Sequence, residues 1–122
     1  MENTLDLLLG GKELPKPEAS YKIARLSKEL GGDIVFRLRA LAYDDVADIK
    51  KRENDEMGVH IVLEGTVSPN LKDKALLEHY KAITPVELIK KMLLPGEIED
   101  LSRAIEMLSG FRKATISEIK KK

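Results

Sequence analysis

A chain of 122 residues is the size of one domain, and folding buries about two thirds of such a chain's surface, enough for a core without disulfides or metal. The absence of cysteine excludes disulfides, thiolate metal sites and a cysteine nucleophile. Lys plus Arg and Asp plus Glu both number 21, so no global positive field exists to draw in a nucleic-acid backbone.

The hydrophobic share is 43% and the aromatic share only 4%, without Trp, so the core must be mostly aliphatic. The first apolar run, Leu7 to Leu9, is too short for a signal peptide or a membrane span. The expectation is a soluble intracellular protein.

In chain order, Thr4 is the expected cap of a short helix carrying Leu5, Leu8 and Leu9, closed by Gly10 and Gly11. Leu14 to Pro17 reads as an extended linker, because two prolines in three positions disfavour helix. A β-hairpin is expected next, over residues 20–41. Its first strand runs from about Tyr21 to Leu26, and Ser27 to Asp33 carries the Gly31-Gly32 turn after one helical winding. In its second strand Ile34, Phe36, Leu38 and Ala40 alternate with Val35, Arg37 and Arg39, a period of two with one polar face.

From Tyr43 the pattern becomes helical. Asp44, Asp45 and Asp48 come first and Lys50, Lys51 and Arg52 last, which complements the helix dipole, while Val46 and Ile49 supply the buried stripe. The polar segment Glu53 to Met57 breaks this helix. Val59 to Val67 reads two ways. Its β-branched residues suggest strand, yet Val59, Val62, Leu63 and Thr66 fit one helical face, and the pattern leans to helix. Ser68-Pro69 ends it, and Asn70 is the expected cap of a helix through Leu71, Ala75, Leu76 and Tyr80.

The last two helices are the best specified. Thr84 as cap, Pro85 at the first helical position and Glu87 at the third form a capping box, with Ile83 and Leu88 placed to staple across it. Pro95 starts the next helix, in which Ile98, Leu101, Ile105 and Leu108 form the buried stripe. Gly110 ends it in a left-handed conformation, and Phe111 folds back onto Ile105. The tail from Arg112 to Lys122 is basic and less patterned. The fold class is therefore α+β, mainly α: residues 1–122 as one domain, with a short helix and linker over 1–19, a hairpin over 20–41, packed helices over 43–111 and a basic tail over 112–122.

Chemistry is sparse. His60 and His79 stand 19 residues apart, and neither has a partner at the short spacing of a zinc or metalloprotease motif. Asp44, Asp45 and Asp48 lack the ligand run and glycine of a calcium loop, and like Glu97, Glu99 and Asp100 they are explained by helix N-terminal electrostatics. Gly10-Gly11, although followed by Lys12, and Gly31-Gly32 lack phosphate-loop spacing, and no nucleophile elbow is present. Arg37 and Arg39, and Arg112, Lys113 and Lys120 to Lys122, lack the interleaved aromatics of a nucleic-acid surface. No catalytic, cofactor or metal site is assigned, and no partner-contacting residue is named. Two apolar stripes remain, Leu5/Leu8/Leu9 and Ile98/Leu101/Ile105/Leu108. Both belong to one core, or one of them grips a partner.

The C-terminal half carries a resemblance. Leu93-Leu94-Pro95-Gly96-Glu97-Ile98 followed by Leu108-Ser109-Gly110-Phe111 resembles the closing signature of XkdN-like tail assembly chaperones, from phages and phage-derived contractile particles of Gram-positive bacteria. Glu64-Gly65, Pro69, Leu71-Lys72, Thr84-Pro85 and Glu87-Leu88 fall in the order of that family, and Leu26, Phe36 and Arg39-Ala40-Leu41 resemble its hairpin.

The resemblance implies a non-catalytic chaperone that coats the tape-measure protein before tail-tube subunits polymerise around it. Such a protein works in the bacterial cytoplasm and is absent from the finished particle. It also implies helix for Val59 to Val67, and no cofactor. The implied partners are the tape-measure protein, a second copy of the chain and a longer frameshifted product, with no nucleic acid, membrane or small molecule. An adenine-rich run encoding Lys120-Lys121-Lys122 is the expected slippery site. The competing readings are a small structural component retained in the tail and, behind it, a helical nucleic-acid-binding regulator.

Overall fold

The computed structural model describes residues 3–11, 13–52 and 56–120. Lys12, most of the expected break between Glu53 and Met57, and the last two residues of the lysine run lie outside that set. The elements are α1 (Thr4–Gly10), β1 (Glu18–Lys22), α2 (Ala24–Leu30), β2 (Val35–Arg39), α3 (Tyr43–Lys51), α4 (Met57–Gly65), β3 (Thr66–Ser68), α5 (Lys74–His79), α6 (Pro85–Met92) and α7 (Pro95–Leu108). The chain is α+β and mainly helical, as the sequence pattern requires.

The three strands form one antiparallel sheet in the order β1-β2-β3. In β2 the alternation works as expected: Phe36 and Leu38 are fully covered while Val35 and Arg37 face out. β1 pairs with it from Glu18↔Arg39 to Lys22↔Val35, so the hairpin exists but begins earlier than expected. Its connection also differs. Ala24 to Leu26, expected as strand, open helix α2, because Ile23 already donates its amide to Ile34 and the chain must turn to bury Leu26. Gly31 closes α2 at φ 74°, in the left-handed region that favours glycine.

The Val59–Val67 segment divides. α4 takes it as far as Gly65, and Thr66–Ser68 then pairs with β2 as a third strand that the sequence pattern did not separate from the helix. Two expected caps are corrected. Asn3, one residue before Thr4, caps α1 by accepting from the Asp6 amide at 2.9 Å. Asp73 caps α5 by accepting from Leu76 at 2.9 Å, whereas Asn70 turns the preceding chain by accepting from the Lys72 amide.

Thr84 caps α6 as expected, accepting from Glu87 N at 3.1 Å. The reciprocal bond differs, since Glu87 accepts from Ile83 N at 3.0 Å. Ile83 is 86% exposed and Leu88 fully buried, so the staple is not made. The core joins Phe36 and Leu38 of the sheet to Val59, Val62, Leu88, Ile89, Leu101 and Ile105. α4 and α7 come so close that a Cβ added at Gly65 would lie 2.5 to 2.8 Å from three side-chain carbons of Ile105.

Candidate protein-binding surfaces

The structure separates the two apolar stripes. On α7, Leu101 and Ile105 are buried and Ile98 and Leu108 pack against the core, so that stripe serves the fold. On α1 no residue is buried, and Leu5, Leu7, Leu8 and Leu9 are each at least 60% exposed. A seven-residue helix has little stability alone. Its four leucines thus stand uncovered among the described residues.

An open groove of about 540 Å³ lies where β1 and α2 meet α7. Ile23, Ala24, Leu101 and Ala104 give it apolar lining, and Tyr21 adds an aromatic ring. β1 and α2 contribute Lys22 and Arg25; α7 contributes Glu97 and Asp100. Arg25 closes onto Glu97 through Nε to Oε2 at 3.0 Å and Nη2 to Oε1 at 2.8 Å. The bidentate bond holds the Glu97 carboxyl below the usual carboxylate range and raises the Arg25 guanidinium further, so both stay charged. Glu97 also accepts from the Leu94 amide at 2.7 Å, which caps α7.

A smaller hollow of about 120 Å³ lies where α3, α4 and the chain after α7 approach one another. Leu41, Val46, Ile49, Met57, Ile61 and Phe111 line it, with Lys50 and Glu106 as its charged members. Beyond Gly110 at φ 95° the Phe111 amide donates to Glu106 O at 2.9 Å, but the ring is not among the residues packed on the core with Ile105, where the sequence pattern placed it. The ring remains 45% exposed beside the hollow.

The other singled-out residues have local roles. His60 is buried, with Nδ1 3.2 Å from Arg52 Nη1, and His79 sits edge-on to Tyr80. Asp45 accepts from the Ala42 amide at the start of α3, and Glu99 pairs with Arg103. Arg37 pairs with Glu18, Arg39 reaches the Glu64 carbonyl, and Arg112 pairs with Glu106. Among the described residues no three His, Asp or Glu gather as a metal site, and no helix is long and apolar enough to cross a membrane. The Arg25–Glu97 contact was beyond sequence reasoning, since 72 positions separate its partners.

Known proteins agree with this picture. The sequence model of the phage XkdN-like tail assembly chaperones matches residues 49–121. The chain is 26% identical over 131 residues to the phage-like element PBSX protein XkdN of Bacillus subtilis (strain 168), covering 90% of this chain and 88% of that one. It is 28% identical over 126 residues to YqbN of the same organism, covering 88% and 84%. The crystal structure of YqbN superposes with a TM-score of 0.71 at 26% identity, over 91% of this chain and 99% of the other. With this match over residues 49–121, more than half of its length, the chain belongs to the XkdN-like family of phage tail assembly chaperones.

Proposed function

We propose that this protein binds the tape-measure protein of its phage or phage-like tail, keeps it soluble during assembly, and is displaced as tube subunits polymerise around it. The observation that carries the reading is the groove between β1–α2 and α7, apolar inside and edged by Lys22 and Arg25 on one side and Glu97 and Asp100 on the other. A tape measure built of long amphipathic helices offers apolar stripes flanked by charges of both signs, the complement of such a groove. Modest affinity at each groove suits a client that must later be released. Many copies along one tape measure then hold it by avidity. The work is done in the host cytoplasm, and the chaperone is absent from the finished particle.

The test is co-expression with the tape-measure protein encoded nearby. The expected result is a soluble tape measure that co-purifies with many copies of the chaperone, and purified particles that lack the chaperone by mass spectrometry. An insoluble tape measure with no bound chaperone would overturn the reading. Retention in the particle would favour a structural tail component instead.

A further inference from the structure

We propose that the open edge of β1 takes up an extended segment of a protein partner as a further strand of the sheet, a segment with aliphatic residues at alternate positions and opposite charges at its two ends. The inference concerns a backbone surface beside the groove and stands whether or not the client is a tape measure.

The hydrogen-bond pattern carries it. β1 ends the sheet, with a strand on one side only. The Ala40 amide donates to the Pro17 carbonyl and the Ile23 amide to the Ile34 carbonyl, both at 2.9 Å. Both bonds continue the register that sets Ala19 opposite Leu38 and Tyr21 opposite Phe36. Bonded pairs alternate in an antiparallel ladder, so Ala19 and Tyr21 direct their backbone groups at β2. Glu18, Ser20 and Lys22 therefore turn their amides and carbonyls outward, with no partner among the described residues.

Proteins block an edge that must stay unpaired with proline, a bulge or exposed charge. β1 has no proline from Glu18 to Lys22 and keeps an unbroken register with β2. Its charged side chains are drawn back toward the sheet, Lys22 to Asp33 at 3.5 Å and Glu18 to Arg37 at 3.6 Å. Glu18, Ser20 and Lys22 are all exposed.

The flanking side chains define the occupant. Ala19 and Tyr21 share a face with the buried Leu38 and Phe36, and Tyr21 also lines the groove. An added strand sets two side chains beside them at the mouth of an apolar groove, and aliphatic residues suit both places. On the other face an acid falls beside Lys22 and a base beside Glu18, as Asp33 and Arg37 do from the side of β2. β1 of a second copy would bring alanine to one of the two places at the groove mouth, so aliphatic residues at both describe a different chain.

The probe is a capped synthetic peptide containing Glu-Val-Thr-Val-Lys, whose antiparallel register sets its Glu beside Lys22, its Thr beside Ser20 and its Lys beside Glu18. Titrated into the 15N-labelled full chain, it should shift the amide signals of Glu18, Ser20 and Lys22 and saturate at millimolar concentration or below. Methylating the Thr amide, which faces Ser20, should weaken binding about tenfold, whereas methylating a Val amide, which faces away from β1, should not. Glu-Val-Thr-Val-Glu and Glu-Ser-Thr-Ser-Lys should each bind several-fold more weakly. Ser20→Pro removes an outward donor that β2 does not use, and it should lose the peptide with unchanged circular dichroism. No saturable shift, or equal losses from methylating Thr and Val, would overturn the proposal. So would protection of the Ser20 amide from exchange that rises with the concentration of the free protein, which would give the edge to a second copy.

Discussion

Arg25 grips Glu97 with two parallel hydrogen bonds, and its Nη2 also donates to the Met92 carbonyl at 3.0 Å. One guanidinium therefore joins α2, the last residue of α6 and the first turn of α7. Its positive charge meets the negative end of α6, and the carboxylate of Glu97 sits at the positive end of α7, so both helix dipoles favour the arrangement. Pro95 at the first helical position and Glu97 at the third give the Pro-Gly-Glu-Ile segment its mechanical meaning: it stops one helix, starts the next and pins both to α2.

Removing the carboxylate should be felt at all three elements. Glu97→Ala loses the cap on Leu94 as well as the charged bonds, at a cost of about 1–3 kcal/mol. Urea unfolding should show the midpoint falling with the slope unchanged. Arg25→Lys should recover only part of the wild-type midpoint relative to Arg25→Ala, because an ammonium cannot reproduce the fork.

The acid limb of stability follows from the same groups. Glu97 is held low by Arg25, Glu87 by the Ile83 amide and Lys91, and Glu56 by Lys90. A carboxyl whose folded value lies below its unfolded one adds stability that is complete above the unfolded value, near pH 4.3, and lost as pH falls through the folded one. Thermal stability should thus be flat near neutrality and drop below about pH 4.5. Glu97→Gln should be less stable than wild type at neutral pH and should converge on it in acid, as a pH series of thermal melts would show.

Gly65 has no room for a side chain. Gly65→Ala pushes a methyl group into Ile105, which is fully buried, and should cost about 1–3 kcal/mol. Ile105→Ala alone should cost about 2–5 kcal/mol. The two changes should not add: in the double variant the new methyl occupies space the isoleucine has left, and a double-mutant cycle would show the coupling.

At the start of α6 the structure separates cap from staple. Thr84→Ala should destabilise by about 1 kcal/mol, since the Glu87 amide loses its acceptor. Ile83→Ala should stay within about 0.5 kcal/mol, because its side chain is in solvent and only its amide is used. Equal losses at the two positions would mean that the staple forms in solution.

Filling the groove should separate client binding from folding. Ala104 on α7 is half-buried in its lining. Ala104→Arg should leave the circular dichroism unchanged and reduce co-purification of the tape measure at least tenfold, read on the same co-expression assay.

Local signals made α6 and α7 legible. Thr84-Pro85 and Pro95 mark their starts, and Gly110 marks the end of α7, each acting within a few residues of itself. Elsewhere the deciding contacts are distant. α2 begins at Ile23 without a side-chain cap, and it folds because the sheet fixes Ile23 and Ile34 together. β3 is three residues long and exists through its pairing with β2, which no periodicity of Thr66 to Ser68 could announce. The candidate surfaces were less legible still. A leucine stripe has the same spacing in a core and on a surface, and only the packing of α4 against α7 decides which stripe the fold consumes.

The placement of α1 has a thermodynamic consequence. None of its residues contributes to the core, so its own ordering is uncoupled from the stability of the folded body. In amide exchange α1 should open at almost no cost, while the middle of α7 should open only with global unfolding. Ordering or loss of such a segment leaves the folded body undisturbed.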